Sequence, residues 1–331
     1  MRTNKKESNT RKQNILFAGI VLAVIIFIAG RWISSTTDYY FSVFVQYQED
    51  TQGVLEDHDA LDLNTAEQAL LEPLEAAFDS YRNQRPCDRV KITANDDVTL
   101  AGDFYDEGAD ITVIALQGFN SDSDSDFLFA PYYGEQGCNL LIPDPRTHGD
   151  RGGDYVGYGY FEKYDLQAWV DWVLETYGKD QQIVIHGTAT GAVTALLAAD
   201  EGLPKNVGLL VLDSPFSSLS DIVSYQIGNI YGLSKFPFMW LMDNKLEKAA
   251  GYRMEDVDVV ASISEVTIPA FFIIGEENDY IPQEQSLAVY EQYPGEKELI
   301  SVPGARYRMA YAMAQEECEN ALSALLGGYK P

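Results

Sequence analysis

The sequence holds three histidines among 331 residues, His58, His148 and His186, and three cysteines, Cys87, Cys138 and Cys318. The scarcity of cysteine excludes a disulfide scaffold, and no pair stands at a C-x-x-C or zinc-ligand spacing. At most one intrachain disulfide could form, and the sequence does not choose its partners. Positive charge is also scarce: 23 Lys and Arg stand against 51 Asp and Glu, for a net charge of −28. Nucleic acid is excluded as a partner on that ground, because the phosphate backbone would be repelled. There is no internal repeat and no long low-complexity tract.

The charge is unevenly spread. Residues 1–31 carry Arg2, Lys5, Lys6, Arg11, Lys12 and Arg31 against Glu7, a net of +5, which leaves −33 on residues 32–331. Within the basic end lies one long apolar run, Ile15 to Ala29. Fifteen helical residues rise about 22 Å, short of a ~30 Å hydrocarbon core. Extending the helix over residues 14–33 closes the gap, with Arg31 snorkelling and Trp32 at the interface. The expectation is a basic cytoplasmic tail (1–13), an uncleaved signal anchor (14–33) and an acidic domain outside the cell, anchored in the cell membrane by a single pass. A cleaved signal peptide is the alternative, although Ala29-Gly30 followed by Arg31 is a poor cleavage pattern.

Residues 34–86 read as a stalk, a polar linker and a helix over Thr65–Arg82, with Thr65 and Gln68 as its capping box. From residue 87 onward, short apolar runs alternate with helical stretches. Strands are expected at Arg89–Thr93, Val98–Tyr105, Ile111–Leu116, Leu140–Ile142, Gln182–His186, Val207–Leu212, Ala270–Gly275 and Glu298–Val302. The helices between them include Phe161–Tyr177, Ala192–Asp200 and Pro282–Tyr293. Such alternation implies an α/β fold: a mostly parallel central sheet with helices on both faces, its first strand pair an antiparallel edge. A mixed helical stretch at about 216–265 interrupts the pattern as a cap.

Residues 181–192 read QQIVIHGTATGA. A buried strand ends in G-x-x-x-G, at Gly187 and Gly191, and runs into an alanine-rich helix. Other loops follow in order: Gln117-Gly118-Phe119 after the third strand, Asp144-Pro145-Arg146-Thr147-His148-Gly149 after the fourth, Ile274 to Pro282, and Val302 to Tyr307. Together they resemble the α/β-hydrolase superfamily over roughly residues 89–327, and Gly149 to Tyr160 resembles a membrane-anchored bacterial subfamily of it. In that family G-x-S-x-G is the nucleophile elbow, and the later loops carry the acid and the histidine.

The resemblance puts Ala189 at the nucleophile position, Asn278 at the acid position and Tyr307 at the histidine position. It also implies oxyanion amides near Gln117, Gly118, Phe119 and Thr190. Acyl transfer needs a nucleophile, a base and an orienting carboxylate. A methyl group cannot attack a carbonyl, and a phenol with pKa near ~10 is a poor base at neutral pH. No serine or cysteine lies within residues 181–200, and no histidine follows the elbow. The expectation is a pseudoenzyme without catalytic residues, binding a small ligand or a protein partner and using neither cofactor nor metal. The alternative is a hydrolase of ester or acyl substrates working through rearranged residues such as Asp213 or His186. Ser121 to Asp126 has the look of a calcium loop but lacks the glycine and the distant glutamate of an EF-hand. His186, at the end of a buried strand, reads first as a core histidine.

Overall fold

A computed structural model describes residues 2–46, 63–118, 127–146 and 155–328. The chain opens with helix α1 (Arg2–Val45), unbroken over 44 residues. Its stretch Gln13–Val45 is long and apolar enough to cross a membrane, with a mean hydropathy of 2.4 over its most apolar 18 residues. Side chains from Gln13 to Trp32 are exposed, whereas Thr37, Phe41, Val43, Phe44 and Val45 are buried. Where a stalk is expected from residue 34, the helix continues and its end packs into the globular domain. The rest of the expected linker, residues 47–62, lies outside the described residues.

Helix α2 (Thr65–Gln84) follows, running through Pro73. Its capping box falls one residue earlier than the sequence suggests. Asn64 Oδ1 accepts from the amides of Ala66 and Glu67 at 2.9 and 3.0 Å, and the Asn64 amide donates to Glu67 Oε2 at 2.8 Å. Asn64 is at least as good an N-cap as Thr65, and Glu67 supplies a full carboxylate at the positive helix end, which Gln68 would not.

The remaining elements alternate: β1 (Asp88–Thr93), β2 (Thr99–Tyr105), β3 (Ile111–Leu116), α3 (Ala130–Glu135), β4 (Asn139–Pro143), α4 (Glu162–Tyr177), β5 (Gln182–Thr188) and α5 (Thr190–Glu201). Then come β6 (Val207–Asp213), α6 (Leu219–Tyr225), α7 (Lys235–Ala250), α8 (Val259–Ser262), β7 (Ala270–Gly275), α9 (Gln283–Gln292), β8 (Lys297–Val302), α10 (Ala310–Met313) and α11 (Gln315–Gly327). The eight strands form one sheet in the order β1-β2-β4-β3-β5-β6-β7-β8. β2 pairs antiparallel with β1 and with β4, and every other pairing is parallel.

The central strands are apolar almost throughout because both their faces are covered. Side chains alternate between two cores. Ile183, Ile185, Leu210, Leu212 and Phe272 pack toward α4, α5 and the cap. Val184, Leu209, Val211, Phe271 and Ile273 pack toward α2, α3 and α11. Order runs out from β3 in both directions, to β4 on one side and β5 on the other, so a crevice opens at the carboxyl ends of β3 and β5.

The three cysteines are free thiols, Cys87 exposed and Cys138 and Cys318 buried. The corrected cap makes a measurable difference. Asn64→Ala should cost about 1 kcal/mol of α2 stability, whereas Thr65→Ala should leave it nearly unchanged. Hydrogen exchange at the Ala66 and Glu67 amides reads the difference directly. Equal acceleration in both variants would contradict this cap.

Candidate functional site

The corner between β5 and α5 is a strained turn. Ala189 sits there with φ 51° and ψ −112°, a region sparsely populated by residues with a Cβ and costing of order 1–3 kcal/mol. Its amide donates to the Asp213 carbonyl at 2.8 Å, and its carbonyl accepts the Val193 amide at 3.1 Å. The two glycines are steric necessities. A Cβ on Gly191 would lie 2.2 Å from the Leu116 carbonyl oxygen, and one on Gly187 would lie 2.4 Å from the backbone of Gly191 and Ala192. α5 thus starts hard against the end of β3. Thr190 is its first residue, so its amide has no intrahelical acceptor.

Ala189, Tyr307 and Gly118 converge at this corner. A Cβ placed on Gly118 would sit 3.5 Å from Ala189 Cβ and 3.6 Å from the Tyr307 hydroxyl. Ala189 and Tyr307 line a shallow hollow together with Thr190, Tyr158, Phe216, Ile222, Gln226, Tyr280 and Ile281. It has room for roughly one water molecule. The rings of Tyr280 and Tyr307 lie 4.8 Å apart. Burial raises the pKa of the Tyr307 phenol, with smaller effects from Arg308 and Asp213. The phenol therefore stays protonated at neutral pH and serves as a hydrogen-bond donor rather than a base.

Asn278 comes near the hollow through its neighbours but is turned inward. Its Oδ1 accepts the amides of Tyr280 and Ile281 at 3.1 and 2.8 Å, folding the loop after β7. This loop runs beside the one after β8, where the Glu277 amide donates to the Ala305 carbonyl at 3.0 Å. Asp279 is taken up by Arg306, at 2.8 Å to Nη2 and 3.1 Å to Nε, and Arg306 also reaches Glu67 at 3.3 Å. Gln117 and Gly118 stand at the end of β3 as expected. Phe119, the Ser121–Asp126 run, Thr147, His148 and Gly149 lie outside the described residues.

The two rearranged candidates are not brought together in the hollow. His186 points to the other side of β5, away from α5. Its Nδ1 is 2.9 Å from the Tyr133 hydroxyl, and its ring is enclosed by Phe127 and Phe129. Burial holds its pKa down to about 3, so it is a neutral core side chain. Asp213 ends β6 and accepts from Ser214 Oγ at 2.8 Å, and it is not among the residues lining the hollow. Burial pushes its pKa up to about 6, and the Ser214 bond pulls only weakly against that.

The fourth-strand loop is pinned by charge. Arg89 forks onto Asp144, at 3.0 Å on one arm. Arg146 pairs with both oxygens of Asp165, at 2.8 and 2.5 Å, and reaches Asp96 at 2.6 Å. These side chains hold the loop's first half against β1 and α4, a structural use of the Asp and Arg in the motif. Sequence reading marks Tyr158, within the dense aromatic run Tyr155, Tyr158, Tyr160, Phe161 and Tyr164, as core or as a ligand platform, but it does not single out Phe216 or Gln226, nor the Tyr280 side chain.

No family model matches the chain. The uncharacterized protein YqkD of Bacillus subtilis is 30% identical over 200 residues, 60% of this chain and 66% of that one, a match just short of two thirds of the relative's length. The Pyrococcus furiosus esterase Pf2001 superposes with a TM-score of 0.60 at 26% identity, covering 74% of this chain and 93% of the esterase. Alpha/beta hydrolase domain-containing protein 10 from mouse does so at 0.57 and 15%, covering 73% and 100%. By the order of its strands and loops the chain is a member of the α/β-hydrolase superfamily. At the corner between β5 and α5 this chain carries alanine.

Two outcomes follow from the strained corner and from the buried carboxylate. Ala189→Gly should leave stability unchanged or raise it, because glycine accepts φ of 51° without strain. Ala195→Gly, inside the same helix, should lower stability by about 1 kcal/mol or more. Denaturant titration of both variants checks this, and a clear loss in Ala189→Gly would remove the strain argument. For Asp213, a folded pKa raised from 3.8 to about 6 gives a stabilising contribution fully present below pH 3.8 and lost as pH rises through 6. The loss amounts to at most roughly 3 kcal/mol. Asp213→Asn should therefore gain on the wild type between those pH values and hold a constant advantage above them. Unfolding free energies measured from pH 4 to 8 would contradict this if the two proteins ran parallel.

Proposed function

We propose that this protein is a membrane-anchored pseudoenzyme. It keeps the elbow, the sheet and the pocket of a serine hydrolase and uses them to bind rather than to cleave. The observation that carries this reading is the Ala189 methyl at the tip of a corner still strained as if to present a nucleophile. Around it the hollow offers a protonated Tyr307 phenol, the free Thr190 amide at the N-terminus of α5, and aromatic walls. That set suits the carbonyl or carboxylate end of a small, otherwise apolar ligand. The hollow is small, so the end of the ligand enters and the rest lies along the cap at 216–265. A protein partner docking on the same cap is the other occupant. In this reading α1 places the basic tail in the cytoplasm and the acidic domain outside the cell.

The competing reading is an active hydrolase using Asp213 or His186. It is disfavoured because His186 is neutral and walled into the opposite core, and because among the described residues Asp213 has no imidazole to orient. Removing a triad serine or histidine costs about 10⁶ in kcat, and oxyanion contacts alone leave ~10³–10⁴ over water.

The test uses the full chain in lipid nanodiscs. The wild type should show no turnover of ester, thioester or lactone substrates, with or without chelator, and no labelling by a fluorophosphonate. The combined variant Ala189→Ser, Asn278→Asp, Tyr307→His should become labelled. Wild-type turnover that disappears in Ala189→Trp would overturn the proposal, and a folded but unlabelled triple variant would show that these positions do not form one site.

A further inference from the structure

The cap contains a stretch whose chemistry differs from the rest of the acidic domain. Residues 222–242 hold no Asp or Glu and one basic residue, Lys235, in a chain with 51 acidic residues. Within it Phe236 is 77% exposed and Trp240 61% exposed. They flank Phe238, which is buried. Large apolar side chains this exposed on a described surface mark a contact with something apolar.

The packing of α7 on α1 says what that is. The Trp32 and Phe238 rings meet edge to face at 6.0 Å. Six residues further along α1, Asp38 accepts from Lys245 Nζ at 2.6 Å, and the same ammonium lies 4.5 Å over the Phe41 ring. Partner numbers rise together on both helices, 32 with 238 and 38 with 245. At ~1.5 Å per residue these steps are about 9 and 10 Å, so the helices run near parallel. The N-terminal end of α7 is therefore the end nearest the apolar span. Trp240 sits two helical residues, about 3 Å along that axis, from the level of Phe238 and hence of Trp32, and Phe236, extended at φ −98° and ψ 134°, precedes that turn on the side of the span.

Trp32 ends the exposed apolar run of α1 and is itself 58% exposed. In a membrane-crossing helix it stands at the boundary between hydrocarbon and headgroups, where tryptophan is favoured. We propose that Phe236 and Trp240 enter the same interfacial layer, so that the cap lies on the bilayer and forms a second membrane contact beside the anchor. This rests on the reading of α1 as a membrane span. The lack of carboxylates over 222–242 fits it, because anionic headgroups would repel them and desolvation would oppose their entry. The same acid-free stretch includes Ile222 and Gln226, which line the hollow beside Ala189. The hollow is thus walled by the segment that faces the lipid.

Tryptophan quenching tests this on the full chain in nanodiscs containing lipid brominated near the headgroup. The chain has four tryptophans, and Trp32 and Trp240 are its exposed ones. Trp240→Phe should remove about half of the bromolipid-quenchable emission, and Trp32→Phe the other half. Both side chains are exposed, so folding is not at stake. If Trp32→Phe lowers quenching and Trp240→Phe does not, the cap does not touch the bilayer and the proposal fails while the anchor stands. If neither variant lowers it, the anchor reading fails as well. Trp240 emission shielded from both bromolipid and aqueous acrylamide would mean that protein covers the face, and would also overturn the proposal.

Discussion

The architecture of the site depends on one close approach: the first turn of α5 against the end of β3. Gly191 lies where a methyl would meet the Leu116 carbonyl oxygen at 2.2 Å, and Gly187 lies where a methyl would meet the next turn of backbone. Core packing at this density leaves no slack for such a group, and the backbones would have to separate. That separation would pull the Thr190 amide away from Gly118 and flatten the turn that lifts residue 189. The strain at Ala189 is held in place by everything packed around it. The geometry of the corner is set by glycines and by the sheet, and the side chain at its tip contributes little to either.

Around that corner several polar groups are engaged in structure. Asn278 closes a turn through two backbone amides, a task its side-chain oxygen performs as well as a carboxylate oxygen would. Asp279 is occupied by Arg306, and Asp144 and Arg146 hold a loop to β1 and α4. His186 is a neutral member of an aromatic cluster, since ionising it there would place an unpaired charge in the core. Each of these residue types suggests chemistry when met in a sequence, and each proves to have a structural partner, although His186 Nε2 and Asp279 Oδ1 are buried without one of their own.

The N-terminal helix, whose apolar stretch is long enough to cross a membrane, is also part of the domain. Its last turns are buried, the Val156 amide donates to the Val45 carbonyl at 2.9 Å, and the Tyr158 hydroxyl donates to the Phe44 carbonyl at 2.7 Å. Tyr158 also lines the hollow. One wall of the hollow is therefore fastened to the end of the apolar helix.

The sequence by itself determined the strands at the centre of the sheet, because burial on both faces leaves each of them a mostly apolar run. It also determined the corner, because G-x-x-x-G between a strand and an alanine-rich helix is a local steric demand. The identity of residue 189 needed no coordinates. What the tertiary structure decided is which side chains meet across the chain. The Tyr158, Phe216, Gln226 and Tyr280 walls come from four separate segments, and no spacing in the sequence links them. The capping box moved to Asn64–Glu67 because two adjacent frames offered suitable residues and only the backbone chooses between them. The docking of Thr37–Val45 on the cap was hidden for the same reason: an aromatic run after an apolar helix reads alike whether it faces lipid, water or another helix, and only packing distinguishes the three.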